Sequence, residues 1–253
     1  MKNNTYNPLL AATFLVFTSS ASADITDVIE KTYDFDEKGR ISLSNVNGNV
    51  SISACDCSQV HLTATVTASD QETRDRIEVK INSSNKKLSI ETKYAKTDRR
   101  HSRNNHSEVV YELRVPNKVE LDEIQLVNGD LKISGVSGKL SADMVNGDLI
   151  SDANMADTRV SMVNGDMKIS FQDLSSVDRV KLESVNGDIV VRMPSNADLD
   201  VSAETVSGNI SNEFGIKVHK GRYVGSDMHG TVGNGTVNLS MENVNGKIRL
   251  NTL

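Results

Sequence analysis

Four aspartates recur behind the same tripeptide: Asp130, Asp148, Asp166 and Asp188 each close a Val-Asn-Gly-Asp unit. A row of carboxylates can serve two chemistries, hydrolysis of a polysaccharide by paired acids or oxygen ligation of calcium. A repeat that ends in Asp also produces such a row without any chemistry, and each unit brings one acid where calcium-binding repeats usually bring more. Solvation of these carboxylates and pairing with Lys132 and Lys168, two residues on, is the simpler expectation.

Two other groups hold reactive side chains. Cys55 and Cys57 are the only cysteines, and an even count in an oxidising compartment favours a disulfide. An extended C-x-C puts both side chains on one face near the outer limit of Cα separation, so a bridge requires a local bend at Asp56 and Ser58. Free thiols and a soft-metal site are the alternatives, the latter without a second pair of ligands nearby. Arg99, Arg100 and Arg103, with His101 and His106, form the one concentrated basic stretch. It reads as a grip on an anionic envelope polymer or as a solvated loop, and no aromatic residue interleaves with its charges.

Other chemistry is missing from the sequence. No histidines stand at metal-ligand spacing, and there is no G-x-S-x-G, Walker loop or dinucleotide fingerprint. The glycines follow Asn or Ser between strands, with no helix behind them to receive a phosphate. We expect no enzyme, no cofactor and no metal site.

The elements that carry these residues are strands. Around Asn128-Gly129 the apolar residues alternate, Ile124 and Leu126 before, Leu131 and Ile133 after, and the pattern returns at Asn146-Gly147, Asn164-Gly165 and Asn186-Gly187. Asn-Gly supplies positive φ cheaply, so each copy is a tight turn. Variants stand at Val46-Asn47-Gly48-Asn49, Val206-Ser207-Gly208-Asn209 and Val244-Asn245-Gly246-Lys247, with Val136-Ser137-Gly138-Lys139 as a weaker copy.

Two all-β architectures fit. In an antiparallel meander of hairpins, Leu126 would face Leu131; in a β-solenoid with stacked Asn-Gly turns, equivalent positions of successive coils lie one above another. The step from Gly129 to Gly147 to Gly165 is 18 residues each time and then lengthens to 22 and 21. One turn recurs while the return turns share no sequence. A solenoid explains that asymmetry, because one column of corners must stack closely and the others can bulge.

Residues 1–23 read as a signal peptide: Lys2, an apolar run from Pro8 to Phe17 too short to span a bilayer, and the small-residue site Ala21-Ser22-Ala23. Its removal leaves 27 basic against 34 acidic side chains, which disfavours nucleic-acid binding. Residues 24–253 read as a single elongated domain without a further membrane span. Within it, 24–120 are less regular strands suited to capping the first coil, and 121–253 carry the repeats. Phe214 to Gly235 lacks alternation and reads as a loop or irregular coil.

Taken together, Ser44-Asn45-Val46-Asn47-Gly48-Asn49-Val50-Ser51-Ile52, Leu113-Arg114-Val115-Pro116 and the serial Val-Asn-Gly-Asp units resemble the bacterial putative adhesin domain. This is a β-strand-repeat family similar to the head GIN domain of adhesin-like proteins, and the resemblance covers nearly all of the mature chain. It implies a β-helical, exported, non-enzymatic protein, and it transfers no catalytic or ligand residue. The expected function is that of a periplasmic or secreted cell-envelope adhesin or binding scaffold whose partner is an envelope polysaccharide or envelope protein. The rivals are a polysaccharide-acting β-helix enzyme and a purely structural spacer. Intact mass of the protein recovered from the envelope fraction should correspond to a chain beginning at Asp24, and recovery of the precursor as the stable species would refute export with cleavage.

Overall fold

Alternation at period two carries strands along nearly the whole chain, because a pleated strand sends successive side chains to opposite faces. The computed structural model describes residues 24–95, 106–221 and 224–253. The first part holds β1 (Ile25–Asp34), β2 (Arg40–Asn47), β3 (Val50–Cys55), β4 (Gln59–Ala68), a one-turn helix α1 (Gln71–Asp75), β5 (Ile77–Ser84), β6 (Lys87–Tyr94) and β7 (Ser107–Pro116). The repeats follow as β8 (Glu120–Asn128), β9 (Leu131–Ser134), β10 (Leu140–Asn146), β11 (Leu149–Asn154), β12 (Thr158–Asn164), β13 (Met167–Phe171), β14 (Arg179–Asn186) and β15 (Ile189–Met193). The last are β16 (Leu199–Ser207), β17 (Ile210–Asn212), β18 (Val218–Lys220), β19 (Ser226–Val232), β20 (Val237–Asn245) and β21 (Ile248–Thr252).

These strands form two sheets. Sheet A runs β1-β4-β7-β3-β9-β11-β13-β15-β21-β17, and sheet B runs β18-β19-β16-β20-β14-β12-β10-β8-β2-β6-β5. Each Asn-Gly corner takes the chain from sheet B to sheet A, and successive coils pair in parallel. Leu131 sits beside Leu149 on one side and Val50 on the other, so the solenoid reading holds and the meander does not. The inward residues of both sheets, such as Ile124 and Leu126 from one and Leu131 and Ile133 from the other, join a single apolar cluster running from Phe35 to Leu250.

Stack order departs from chain order at both ends. The coil β20–β21 lies between β14–β15 and β16–β17, and β2–β3 lies between β8–β9 and the strands β6 and β7. Antiparallel strands then extend the sheets: β4 and β1 beyond β7, β5 beyond β6, and β19 and β18 beyond β16. The segment Phe214 to Gly235 is therefore not merely a loop. Ser226 to Val232 pairs with β16 in spite of its glycine, because β16 offers an otherwise unpaired backbone edge. Gly138 also departs from expectation: it lies in the return turn between β9 and β10, outside the column of Asn-Gly corners.

At each corner three parallel ladders of hydrogen bonds run up the stack. The corner glycine N–H donates to the Asn carbonyl of the next coil, as in Gly129 to Asn146 at 2.9 Å and Gly147 to Asn164 at 3.1 Å. The Asn side chains donate amide to amide: Asn128 to Asn47, Asn146 to Asn128, Asn164 to Asn146, Asn186 to Asn164 and Asn245 to Asn186, all between 2.8 and 3.0 Å. Ser207 takes the next place, beside Asn245. Only the glycines carry positive φ at these corners, from +116° at Gly48 to +154° at Gly129, so Asn serves the ladder rather than a left-handed turn.

A Cβ on Gly147 would collide with the carbonyl of Gly129, and the same collision repeats at Gly165, Gly187 and Gly246 with the corner glycine below. Gly147→Ala should therefore cost about 2–4 kcal/mol, from left-handed strain plus the displaced backbone. Asn146→Ala removes two side-chain hydrogen bonds without touching the backbone, so it should cost about 1–2 kcal/mol. Urea titration of both variants tests the corner, and an Asn146→Ala protein as stable as the parent would remove the amide ladder from the account.

Candidate functional site

The aspartate row is part of this corner. Each carboxylate accepts from the backbone N–H one coil on: Asp148 N to Asp130, Asp166 N to Asp148 and Asp188 N to Asp166, at 2.8–2.9 Å, with Lys247 N closing the row on Asp188 at 2.8 Å. Asn49 plays the acceptor for Asp130 N. One oxygen of each acid thus holds main chain in place. Among the described residues Lys132 and Lys168 make no ion pair, contrary to expectation; the cation that pairs in this row is Arg249, 3.0 Å from Asp188 across the coils. Among the described residues no group of three or more His, Cys, Asp or Glu is arranged to hold a metal ion.

Cys55 and Cys57 are joined by a disulfide at the end of β3, with their Cα atoms 5.3 Å apart. The bridge lies at the opposite end of β3 from the Asn47-Gly48 corner. Arg99, Arg100 and Arg103 lie outside the described residues, between Ala95 after β6 and His106 before β7. The sequence-predicted groups are therefore not gathered into one site. The aspartates and asparagines share the corner, and the disulfide stands apart.

What the geometry does gather is the residue before each corner Asn. Leu126, Met144 and Met162 point into the core, so Val127, Val145 and Val163 point outward, one residue later. Val46, Val185, Val244 and Val206 occupy the same place in their coils, giving one column in the order 46, 127, 145, 163, 185, 244, 206 on the outer face of sheet B. All seven are 36–51% exposed. At about 4.8 Å per strand the column is roughly 29 Å long.

A shallow groove of about 780 Å³ follows this column. On one side, one residue on along the chain and outside the groove's lining, stands the Asn ladder, whose amides are engaged with one another. On the other, two residues back along the same strands, run Ser44, Gln125, Asp143, Ser161, Glu183, Glu242 and Glu204. Every charged residue lining the groove is an acid. Glu183 is neutralised by Lys181 at 2.7 Å and by Arg159 at 3.8 Å. The Lys181 hydrogen bond holds the Glu183 carboxyl below the usual glutamate range. Asp143, Glu204 and Glu242 have no ion pair among the described residues.

Sequence reasoning passed over these valines by taking Val as part of a turn signature. The signal was present: an apolar residue at an outward position is unexplained by a core, and here it recurs in seven coils.

Comparison with known proteins bears on the architecture. No protein of curated function matches the sequence. Among solved structures, a putative cell adhesion protein from Clostridium sporogenes is similar over 90% of this chain and 100% of its own, with 14% identity and a TM-score of 0.50. A putative adhesin from Bacteroides fragilis is similar over 88% of this chain and 97% of its own, with 13% identity and a TM-score of 0.41. At 14% identity the likeness to the Clostridium protein concerns the fold alone. No described helix is long and apolar enough to cross a membrane. The Toastrack DUF4097 family model matches residues 26–251, a span that takes in every coil and almost all of the flanking strands, and the chain belongs to that family.

Proposed function

We propose that this protein is an exported, non-enzymatic binding scaffold of the cell envelope and that the valine groove on sheet B is its binding face. The observation that carries this reading is the seven-valine column. Exposed valine contributes nothing to the core, and a contiguous apolar strip on an outer sheet face is the usual mark of a surface that meets a partner. The corner glycines and asparagines hold the strip straight and rigid, so little ordering cost attends binding. The cleavable leader expected over residues 1–23 and the disulfide at Cys55–Cys57 both suit an oxidising compartment outside the cytoplasm.

The aspartate row supports binding over hydrolysis. Each carboxylate of Asp130, Asp148 and Asp166 is tied by one oxygen to the main chain of the next coil, and these three stand as equivalent neighbours rather than as an acid and a base in different surroundings. The partner class is an envelope polymer, polysaccharide or protein.

The test is a panel of lipopolysaccharide, peptidoglycan fragments and purified envelope proteins presented to the parent and to a Val145→Thr, Val163→Thr double variant. Threonine keeps the β-branch and the strand while removing apolar surface. Saturable binding without turnover, weakened about tenfold in the double variant, is expected. Release of reducing ends would favour the enzyme. Absence of binding to any member would leave a spacer. In the same preparation, millimolar calcium or a chelator should move the melting temperature by no more than about 2 °C, because the row is held by backbone donors rather than by a cation; a large calcium-dependent rise would overturn that.

A further inference from the structure

We infer that the occupant of the valine groove is an extended, cationic, apolar polypeptide segment, an inference that rests on the groove being the binding face. Three observations converge. The groove is linear and roughly 29 Å long, the span of about nine residues of extended chain. Its floor is apolar along that whole length. The charged residues of its one charged wall are all acids and are incompletely neutralised: Glu204 and Glu242 stand in register on neighbouring strands, and neither they nor Asp143 have an ion pair among the described residues.

The stagger of these features sets the chemistry of the partner. The acids lie two residues behind the valines, about 6.6 Å away along each strand. Apolar side chains seated on the valines would therefore leave lysine or arginine arms of the same segment able to reach the glutamates, their stems covering the strip between. An anionic glycan or lipid headgroup meets like charge along this wall, whereas a basic segment relieves the repulsion between Glu204 and Glu242. The Asn ladder, one residue on from the valines, has its amides committed to one another and adds no charge.

The probes are three fluorescein-labelled nine-residue peptides, alternating Leu-Lys, alternating Leu-Glu and alternating Ser-Lys, titrated with the full protein by anisotropy at physiological salt. The Leu-Lys peptide should bind saturably at one per chain. Glu204→Gln with Glu242→Gln should weaken it about five- to tenfold and flatten its salt dependence. Val145→Thr with Val163→Thr should weaken it by a similar factor with the melting temperature retained. Equal affinity for the Leu-Glu peptide would overturn the cationic requirement and leave the groove as a binding face. Equal affinity for the Ser-Lys peptide, unchanged in the valine variant, would reduce the effect to net charge and overturn the proposal. A dimer in sedimentation that the valine variant dissolves would assign the face to a second copy instead. If no peptide binds while an envelope polymer still depends on Val145 and Val163, the proposal fails and the binding face survives; if that dependence is missing too, both fail.

Discussion

The close approach of main chain to main chain at the Asn-Gly corner is the constraint on which the remainder of this molecule depends. A β-sheet fixes the distance between neighbouring strands at about 4.8 Å, and a solenoid asks its corners to keep that same distance while turning. Side chains get in the way. The carbonyl of each corner glycine occupies the space that a Cβ on the glycine of the next coil would need, so glycine is required by its neighbour above as much as by its own φ. Once that is granted, the backbone ladder continues round the corner without a break, and Asn and Asp on either side of the glycine lock it with side-chain hydrogen bonds.

Fixing the corner fixes everything registered to it. Because parity alternates along a strand, the residue two before Gly must point out whenever the one before it points in, and a repeat that spells Val there makes a column that no single coil would reveal. The same logic stacks Glu183, Glu242 and Glu204, which come from three coils and lie next to one another only because β20 enters between β14 and β16. Rigidity at the corner thus becomes chemical patterning on an outer face. The patterning has a direction: polar corner, apolar strip and a polar rim that turns acidic toward Glu183, Glu242 and Glu204 lie side by side along the strands.

Much of this was legible in the sequence, and the reasons for what was not are physical. Alternation around Asn128, Asn146 and Asn164 announces strands, and the contrast between a constant corner and variable returns points to parallel stacking rather than hairpins. The carboxylates of Asp130 and Asp166 bind main chain rather than Lys132 and Lys168, because the backbone N–H of the next coil costs no further side-chain entropy to engage. The strand at Ser226 to Val232 escaped notice because a glycine-containing stretch is drawn into pairing by the unfilled edge of β16, not by its own propensity. The place of β20 and β21 in the stack could not be read at all. Every corner copy has nearly the same local sequence, so nothing within one copy says which two others it will lie between.

That interleaving bears on how the molecule is made. In a simple repeat array each unit docks on the one synthesised before it, and folding can spread from the first coil to the last. Here β16 and β17 emerge first but have no place in the stack of coils until β20 and β21 arrive, since β20 pairs with β14 along one edge and β16 along the other, and β21 does the same with β15 and β17. β20 and β21 are therefore a keystone set between strands that precede them in the chain. Until they are in place, β14 and β15 present an open sheet edge. Such an edge is a template for pairing with any other extended chain, so the interval before closure is when this protein is most exposed to misassembly. Long-range contacts of this kind also slow folding. A chain built this way gains from staying unfolded, or guarded, until all of it is available.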